Sequence, residues 1–355
     1  MSQFIQLHLL TSYPPANLNR DDLGRPKTAM MGGKNRLRVS SQSLKRAWRK
    51  SDLFEMALGD HLGQRTRNMG EVIRKKMIAH GIDDKNALSW SQAIAGKFGK
   101  LKQPKDSKDK KADATIEQLA HFSPEEIQII EQLIDTLAKR GSNPEAEELN
   151  LLRKNHQAAD IALFGRMLAS SPQFNTEAAV QVAHAIGVHE SVVENDFFTA
   201  VDDLNIDKGQ SGSAHMGETE FGAALFYLYI CIDKDLLLGN LQQDTDLVNK
   251  TLSALTETTA KIAPTGKQNS FASRAQASYI LAEKGVQQPR SLSVAFLNPV
   301  KPGQAGILCN AIDALETTRN NLAKVYYAGK TEDSYIINAE NAEGEFAQLL
   351  NFVAG

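Results

Sequence analysis

The residues best suited to chemistry form the run Ser40-Ser41-Gln42-Ser43-Leu44-Lys45-Arg46-Ala47-Trp48-Arg49-Lys50. On a helix, Gln42, Lys45, Arg46 and Arg49 fall at i, i+3, i+4 and i+7 and share one face. Leu44, Ala47 and Trp48 share the opposite face and would anchor the helix to a core. Ser40 and Ser41 are N-cap candidates. Hydroxyls beside the N–H groups of a helix start suit a phosphate oxygen. Just upstream, Lys34-Asn35-Arg36-Leu37-Arg38-Val39 alternates with period two. That pattern predicts a strand with Lys34, Arg36 and Arg38 outward and Leu37 and Val39 inward. Strand and helix in series make a cationic track of the kind a nucleic-acid backbone requires.

Charge distribution supports the same reading. From Arg20 to Lys50 there are ten Lys or Arg and two Asp, a local +8, whereas the whole chain carries −2, so the remainder carries −10. Such asymmetry points to a localised polyanion site, and a solvated basic face is the competing explanation. A second constellation is Asp196-Phe197-Phe198-Thr199-Ala200-Val201-Asp202-Asp203-Leu204, followed by a polar, Gly-containing stretch to Ser213-Ala214-His215. It predicts a long β-hairpin whose paired Phe rings either stack on bases or pack the hairpin base into the domain. Gly165-Arg166-Met167 offers a cation and a flexible apolar side chain, or simply the end of a strand. Gly266-Lys267-Gln268-Asn269-Ser270 lacks the GxxxxGK[ST] spacing of a triphosphate loop.

Catalytic signals are weak. The eight His are dispersed, with no zinc-binding spacing. Asp21-Asp22 and Asp202-Asp203 could hold a divalent metal for phosphodiester cleavage, though adjacent carboxylates more often serve turns and ion pairs. No catalytic residue, metal or cofactor is assigned. Met1 to Leu10 lacks the basic start of a secretory signal. The longest apolar run, Gly222 to Ile232, falls well short of the roughly 20 residues of a membrane-spanning helix. Cys231 and Cys309 are expected to be free, buried thiols of a cytoplasmic protein.

The elements that must position these groups can be placed along the chain. Phe4 to Leu10 predicts a strand and Pro14 to Asn17 a loop. Ser51 to Asp160 is helical in character. Its clearest helix opens at Ser123-Pro124-Glu125-Glu126, a capping box, and closes at Lys139-Arg140-Gly141. Lys97 to Lys111, dense in Lys with Pro104, is expected to be a mobile loop. Strands are expected at Ile161–Phe164, Val182–His189, Phe221–Ile232, Ser291–Leu297 and Tyr335–Ile337, and helices at Thr251–Ile262 and Ala305–Val325. The fold class is therefore α+β, with a helical domain inserted into a sheet domain.

The segments Asn19-Arg20-Asp21-Asp22, Gly32-Gly33-Lys34, Ser40 to Lys50, Asp160 to Leu163 with Gly165-Arg166-Met167, and Phe197 to Leu204 with Gly212 to His215 closely resemble the CasC family. These are the backbone subunits of the type I-E CRISPR Cascade complex. The resemblance runs from Met1 to about Ile232, with an echo at Gly266 to Ala272. It implies a modified RNA-recognition-motif (ferredoxin-like) palm over 1–50 and 160–355. It also implies a helical fingers insertion over 51–159 and a β-hairpin thumb over 194–218. Arg20, Lys27, Lys34, Ser40, Gln42, Lys45, Arg46, Arg49, Arg166, Met167 and Lys267 would contact guide RNA. Phe197, Phe198, Thr199 and Val201 would displace a base, although members often carry Trp where this chain has Phe197. Implied partners are CRISPR guide RNA, the target DNA strand, further copies of the chain, and the CasA, CasB, CasD and CasE subunits. No enzymatic activity is implied. A metal-dependent RNA-cleaving backbone subunit of the type III kind and a stand-alone single-stranded RNA-binding protein are the alternatives.

Overall fold

The computed structural model describes residues 2–103, 113–200 and 215–355. Val201, the expected hairpin tip and Lys105, Lys108, Lys110 and Lys111 lie outside them. The chain divides into two compact units. One comprises Met1–Phe54, Gln181–Ile232 and Leu252–Gly355, and the other Glu55–Val180 and Asp233–Thr251. Against the expected palm and fingers, residues 160–180 and 233–251 thus pack with the second unit.

The first unit is built on a sheet of strands β1 (Phe4–Ala16), β2 (Thr28–Met31), β3 (Lys34–Val39), β4 (Ala185–Gly187), β5 (Glu194–Ala200), β6 (His215–Asp233), β7 (Tyr279–Gly285) and β8 (Asp333–Asn338). Its spatial order is β8-β7-β1-β6-β4-β3-β2, with β5 pairing the start of β6. Pairing is antiparallel for β8–β7, β7–β1, β6–β4, β4–β3, β3–β2 and β5–β6. One face is covered by a core of Leu10, Leu225, Tyr227, Leu281, Leu292, Phe296, Ala311 and Leu315. The last two come from the helix Gly306–Tyr327.

The polar positions of β1 are buried as well. His8 contacts the Tyr227 hydroxyl through Nδ1 at 2.9 Å, and its Nε2 lies 3.3 Å from Glu283. Glu283 also pairs with Arg290 and Arg319, each at 2.8 Å. Burial alone would raise the Glu283 carboxyl, yet the bonds from His8 and Arg290 hold it well below the usual carboxylate range.

The second unit is mostly helical, as expected of Ser51 to Asp160. Its core joins Ile73 and Met77 of Met69–Ala79, Trp90 and Ile94 of Asp84–Ala95, and Ile130, Ile134 and Leu137 of Pro124–Arg140. The last helix carries the capping box, with Ser123 and Glu126 bonded reciprocally, and ends on Gly141 at φ +66°.

Two strand expectations are corrected. Ala159–Phe164 is a helix, in which Ala159 to Leu163 are all buried. A short segment apolar on every side carries no periodicity to separate strand from helix. Ser293–Phe296 is a 3₁₀ turn. There the Ser291 hydroxyl accepts from Ser293 N at 3.2 Å, and Leu292 and Phe296 are buried four residues apart. Cys231 is buried as expected, whereas Cys309 is half-buried.

Candidate nucleic-acid interface

The basic region of the first unit begins in a loop fixed from inside. Buried Asn17 donates through Nδ2 to Gly24 O (3.0 Å) and Glu220 O (2.8 Å). Asp21 Oδ1 accepts from the N–H groups of Leu23 and Arg25. That carboxylate therefore closes a turn. Gly266 packs on the same loop so closely that a Cβ there would come within 2.1 Å of Leu18 O. The following Lys267 is exposed and donates through Nζ to Thr219 Oγ1 at 2.9 Å. Exposed Arg20 and half-buried Lys27 ride on this loop.

Backbone bonds tie the loop to the strand and helix beside it. Lys27 N donates to Asn19 O and Arg38 N to Lys27 O, both at 2.8 Å. Asn19 Oδ1 accepts from Ser40 N at 2.9 Å. Ser40 then caps the helix α1 (Ser41–Arg49) by accepting from Ser43 N. The helix divides as its periodicity predicts. Leu44, Ala47 and Trp48 are buried, Gln42 and Arg46 exposed, and Lys45 and Arg49 half-buried.

The strand departs from expectation. Lys34 is exposed, 3.1 Å from Glu190, and Arg38 is half-buried. Arg36, expected outward, is buried. It donates to Gly187 O at 3.0 Å and to Phe296 O at 3.2 Å. Its guanidinium stitches the sheet to the 3₁₀ turn and leaves the cationic track. The expected phosphate cradle at the helix start is also partly filled. Ser40 and Ser41 are both buried, and Ser41 N donates to Nδ1 of His184 at 3.1 Å. His184 carries no signal in the sequence.

The two arms of the expected hairpin are paired, as β5 and the start of β6, and the tip between them lies outside the described residues. Their register sets Phe197 opposite Glu218, Phe198 opposite Gly217, and Thr199 opposite Met216. Paired residues share a face. Phe197, Thr199 and Met216 therefore lie on one side, with Phe197 61% and Met216 64% exposed. Phe198, 43% exposed, lies over Gly217, where a Cβ would meet its Cζ at 2.5 Å. The rings are thus not sealed in a core. Met216, on the Phe197 side, was not singled out by the sequence pattern.

In the second unit, Met167 is 73% exposed and lines a cleft of about 220 Å³ with Phe98, Lys100 and Leu119. Arg166 is corrected. Its side chain is inaccessible, as is that of its partner Glu126. Nη1 donates to both Glu126 oxygens at 2.9 and 2.8 Å, and Nη2 to Arg153 O at 2.7 Å and Phe174 O at 3.1 Å. A guanidinium held this way joins four segments and reaches no ligand. Nearby His156 is pushed down to about 4 by burial and then by Arg166.

Among the described residues, no three His, Cys, Asp or Glu side chains are grouped so as to hold a metal ion. No helix among them is long and apolar enough to cross a membrane. Side chains from several distant segments converge on one basic surface of the first unit, and an exposed aromatic hairpin extends from its sheet.

Comparison with solved structures finds this fold elsewhere. One chain of a "CRISPR RNA-guided surveillance complex, pre-nicking" is 30% identical, with 99% of each chain covered and a TM-score of 0.81. A chain of a second "CRISPR RNA-guided surveillance complex" is 24% identical, covering 99% of this chain and 98% of that one, at a TM-score of 0.60, a likeness of fold. No curated protein matches. The family model described as CT1975-like protein matches residues 5–351. The chain therefore belongs to the CT1975-like protein family and is of the CasC type.

Proposed function

We propose that this chain is a backbone subunit of a type I-E Cascade surveillance complex, binding CRISPR guide RNA through the basic surface of its first unit. The observation that carries the reading is the convergence of Arg20, Lys27, Arg38, Gln42, Lys45, Arg46 and Arg49 on one fixed loop–strand–helix frame. The full-length likeness to a chain of a CRISPR surveillance complex supports it. Phosphate contacts fix position without reading sequence. The guide bases, left exposed, pair with the target DNA strand. The sheet of the first unit is the RNA-recognition-like palm, the second unit supplies the fingers, and the β5–β6 hairpin is the thumb, with Phe197 and Met216 as its apolar wedge. Copies assemble along one guide and meet the large subunit CasA, the small subunit CasB, CasD and CasE. The chain is a template holder and not an enzyme. The Asp21 carboxylate, already closing its own turn, offers little to a metal.

The test is assembly. Purified chain is mixed with single-stranded RNA of guide length and followed by sedimentation and electron microscopy. Regular multimers whose length tracks the RNA are expected, against small species in its absence. A one-to-one complex at every RNA length would favour the stand-alone RNA-binding protein and sink the backbone reading.

A further inference from the structure

His184 lies just before β4, at a position set by sheet register. Arg38 pairs with Ile186 and Val39 with Ala185. Continuing that ladder by one step brings His184 opposite the residue that caps α1. Its Nδ1 is approached by two groups that can only donate, the Ser41 backbone N–H at 3.1 Å and Arg38 Nη1 at 3.2 Å. Nδ1 must therefore carry the lone pair, and the ring proton sits on Nε2. The residue itself is exposed. Arg38 touches it, Lys27 lies across a backbone bond from Arg38, Lys45 stands one turn on from Ser41 in α1, and all three are within electrostatic reach of the ring.

We infer that His184, with Lys27, Arg38 and Lys45, forms a phosphodiester-binding subsite in which the neutral imidazole gives one directed hydrogen bond from Nε2 and the three cations supply the charge. The ring thereby has two tasks. Its inner nitrogen fixes the start of α1 and the Arg38 guanidinium, and its outer nitrogen addresses the ligand. Protonation on Nδ1 would break both inner bonds. Consistently, the ring is pushed below the ordinary histidine value by loss of solvent, then by Arg38, Lys27 and Lys45. A neutral donor has a recognisable signature. Counterion release counts charges, so this contact adds affinity without adding to the salt dependence.

The inference rests on the RNA-binding reading and is tested so that the two fail separately. His184→Asn places an oxygen where Nδ1 was and removes the outer donor, whereas His184→Gln keeps a donor at the outer position. The probe is a single-stranded RNA of mixed sequence, titrated from about 50 to 200 mM salt. His184→Asn should weaken binding roughly three- to tenfold, the range of one net hydrogen bond, with an unchanged salt slope. His184→Gln should bind more tightly than His184→Asn. Lys27→Ala should lower the slope by about 0.7, one phosphate contact on a single strand. Long-range ¹H–¹⁵N correlation on the RNA-free protein should find the Nε2–H tautomer at pH 7. An unchanged affinity in His184→Asn while Lys27→Ala behaves as stated overturns the subsite. So does a slope that falls by about 0.7 in His184→Asn, the mark of a charged imidazolium, or an Nδ1–H tautomer. If Lys27→Ala and Lys45→Ala leave affinity and slope untouched, the RNA reading itself fails and takes the ligand with it.

Discussion

Replacing Arg166 by Ala separates a buried structural cation from an RNA contact. The change leaves the Glu126 carboxylate inaccessible and without its charge partner. It removes the paired bonds at 2.9 and 2.8 Å and leaves Arg153 O and Phe174 O without their Nη2 donor. Glu126 keeps the Ser123 and Arg153 N–H groups, too few to offset a buried charge. Removing one member of such a pair costs about 3–5 kcal/mol. In a unit approaching 150 residues each kcal/mol lowers the melting midpoint by roughly 2–4 °C, giving a shift of about 6–20 °C. Differential scanning calorimetry should show that shift in the transition of the second unit. The pair Glu126→Gln with Arg166→Met should recover most of it, because Gln keeps the cap and no lone charge remains. At a temperature where the variant is folded, guide affinity and its salt slope should match the parent. If Arg166→Ala melts with the parent and instead loses affinity with a shallower slope, the guanidinium faces RNA and the buried assignment is wrong.

Changing Lys45 and Arg46 to Ala should cut the salt slope by about 1.4, and an unchanged slope with lost affinity would mean the residues act through folding. Changing Phe197 and Phe198 to Ala should leave the melting temperature in place while weakening guide binding by about 1–3 kcal/mol per stacked ring and abolishing long assemblies in sedimentation; loss of folding instead would make the rings core. Because the folded His156 titrates at about 4 against an ordinary 6.5, the unfolded chain takes up its proton first. The His156 contribution to the stability of the second unit is therefore flat above about 6.5 and is lost progressively as pH falls toward 4. His156→Asn should flatten that decline in calorimetry. Purified protein with magnesium or manganese should cut neither RNA nor DNA, and reproducible cleavage abolished by Asp21→Ala or Asp202→Ala would overturn the non-enzyme proposal.

The helix α1 was legible because its face is written in local periodicity, and the capping box at Ser123 because every partner lies within three residues. Arg36 and Arg166 were not. Alternation marks Arg36 as outward, and charge with the family resemblance marks Arg166 as a ligand contact, but the carbonyls that collect Arg36 lie 151 and 260 positions away, and Glu126 is 40 positions from Arg166. Long-range acceptors leave no trace in a local pattern. His184 escaped for the same reason, since its role depends on a strand pairing between segments more than 140 residues apart. Ile161 to Phe164 misled because the consecutive burial of Ile161, Ala162 and Leu163 erases the very period that separates helix from strand.

The path of β1 through the sheet also governs how the protein can be made. Its outer edge waits for Tyr279–Gly285, seven pairs in unbroken register from Phe4–Gly285 to Leu10–Tyr279. That partner is synthesised about 270 residues later, a delay of roughly 14–54 s at about 5–20 residues per second. Throughout it, a strand carrying Ile5, Leu7, Leu9 and Leu10 presents an unpaired edge, a template for any other extended chain. A nascent chain halted before Tyr279 keeps that edge permanently, so premature termination yields a species prone to aggregate, and chaperone demand falls on the sheet unit.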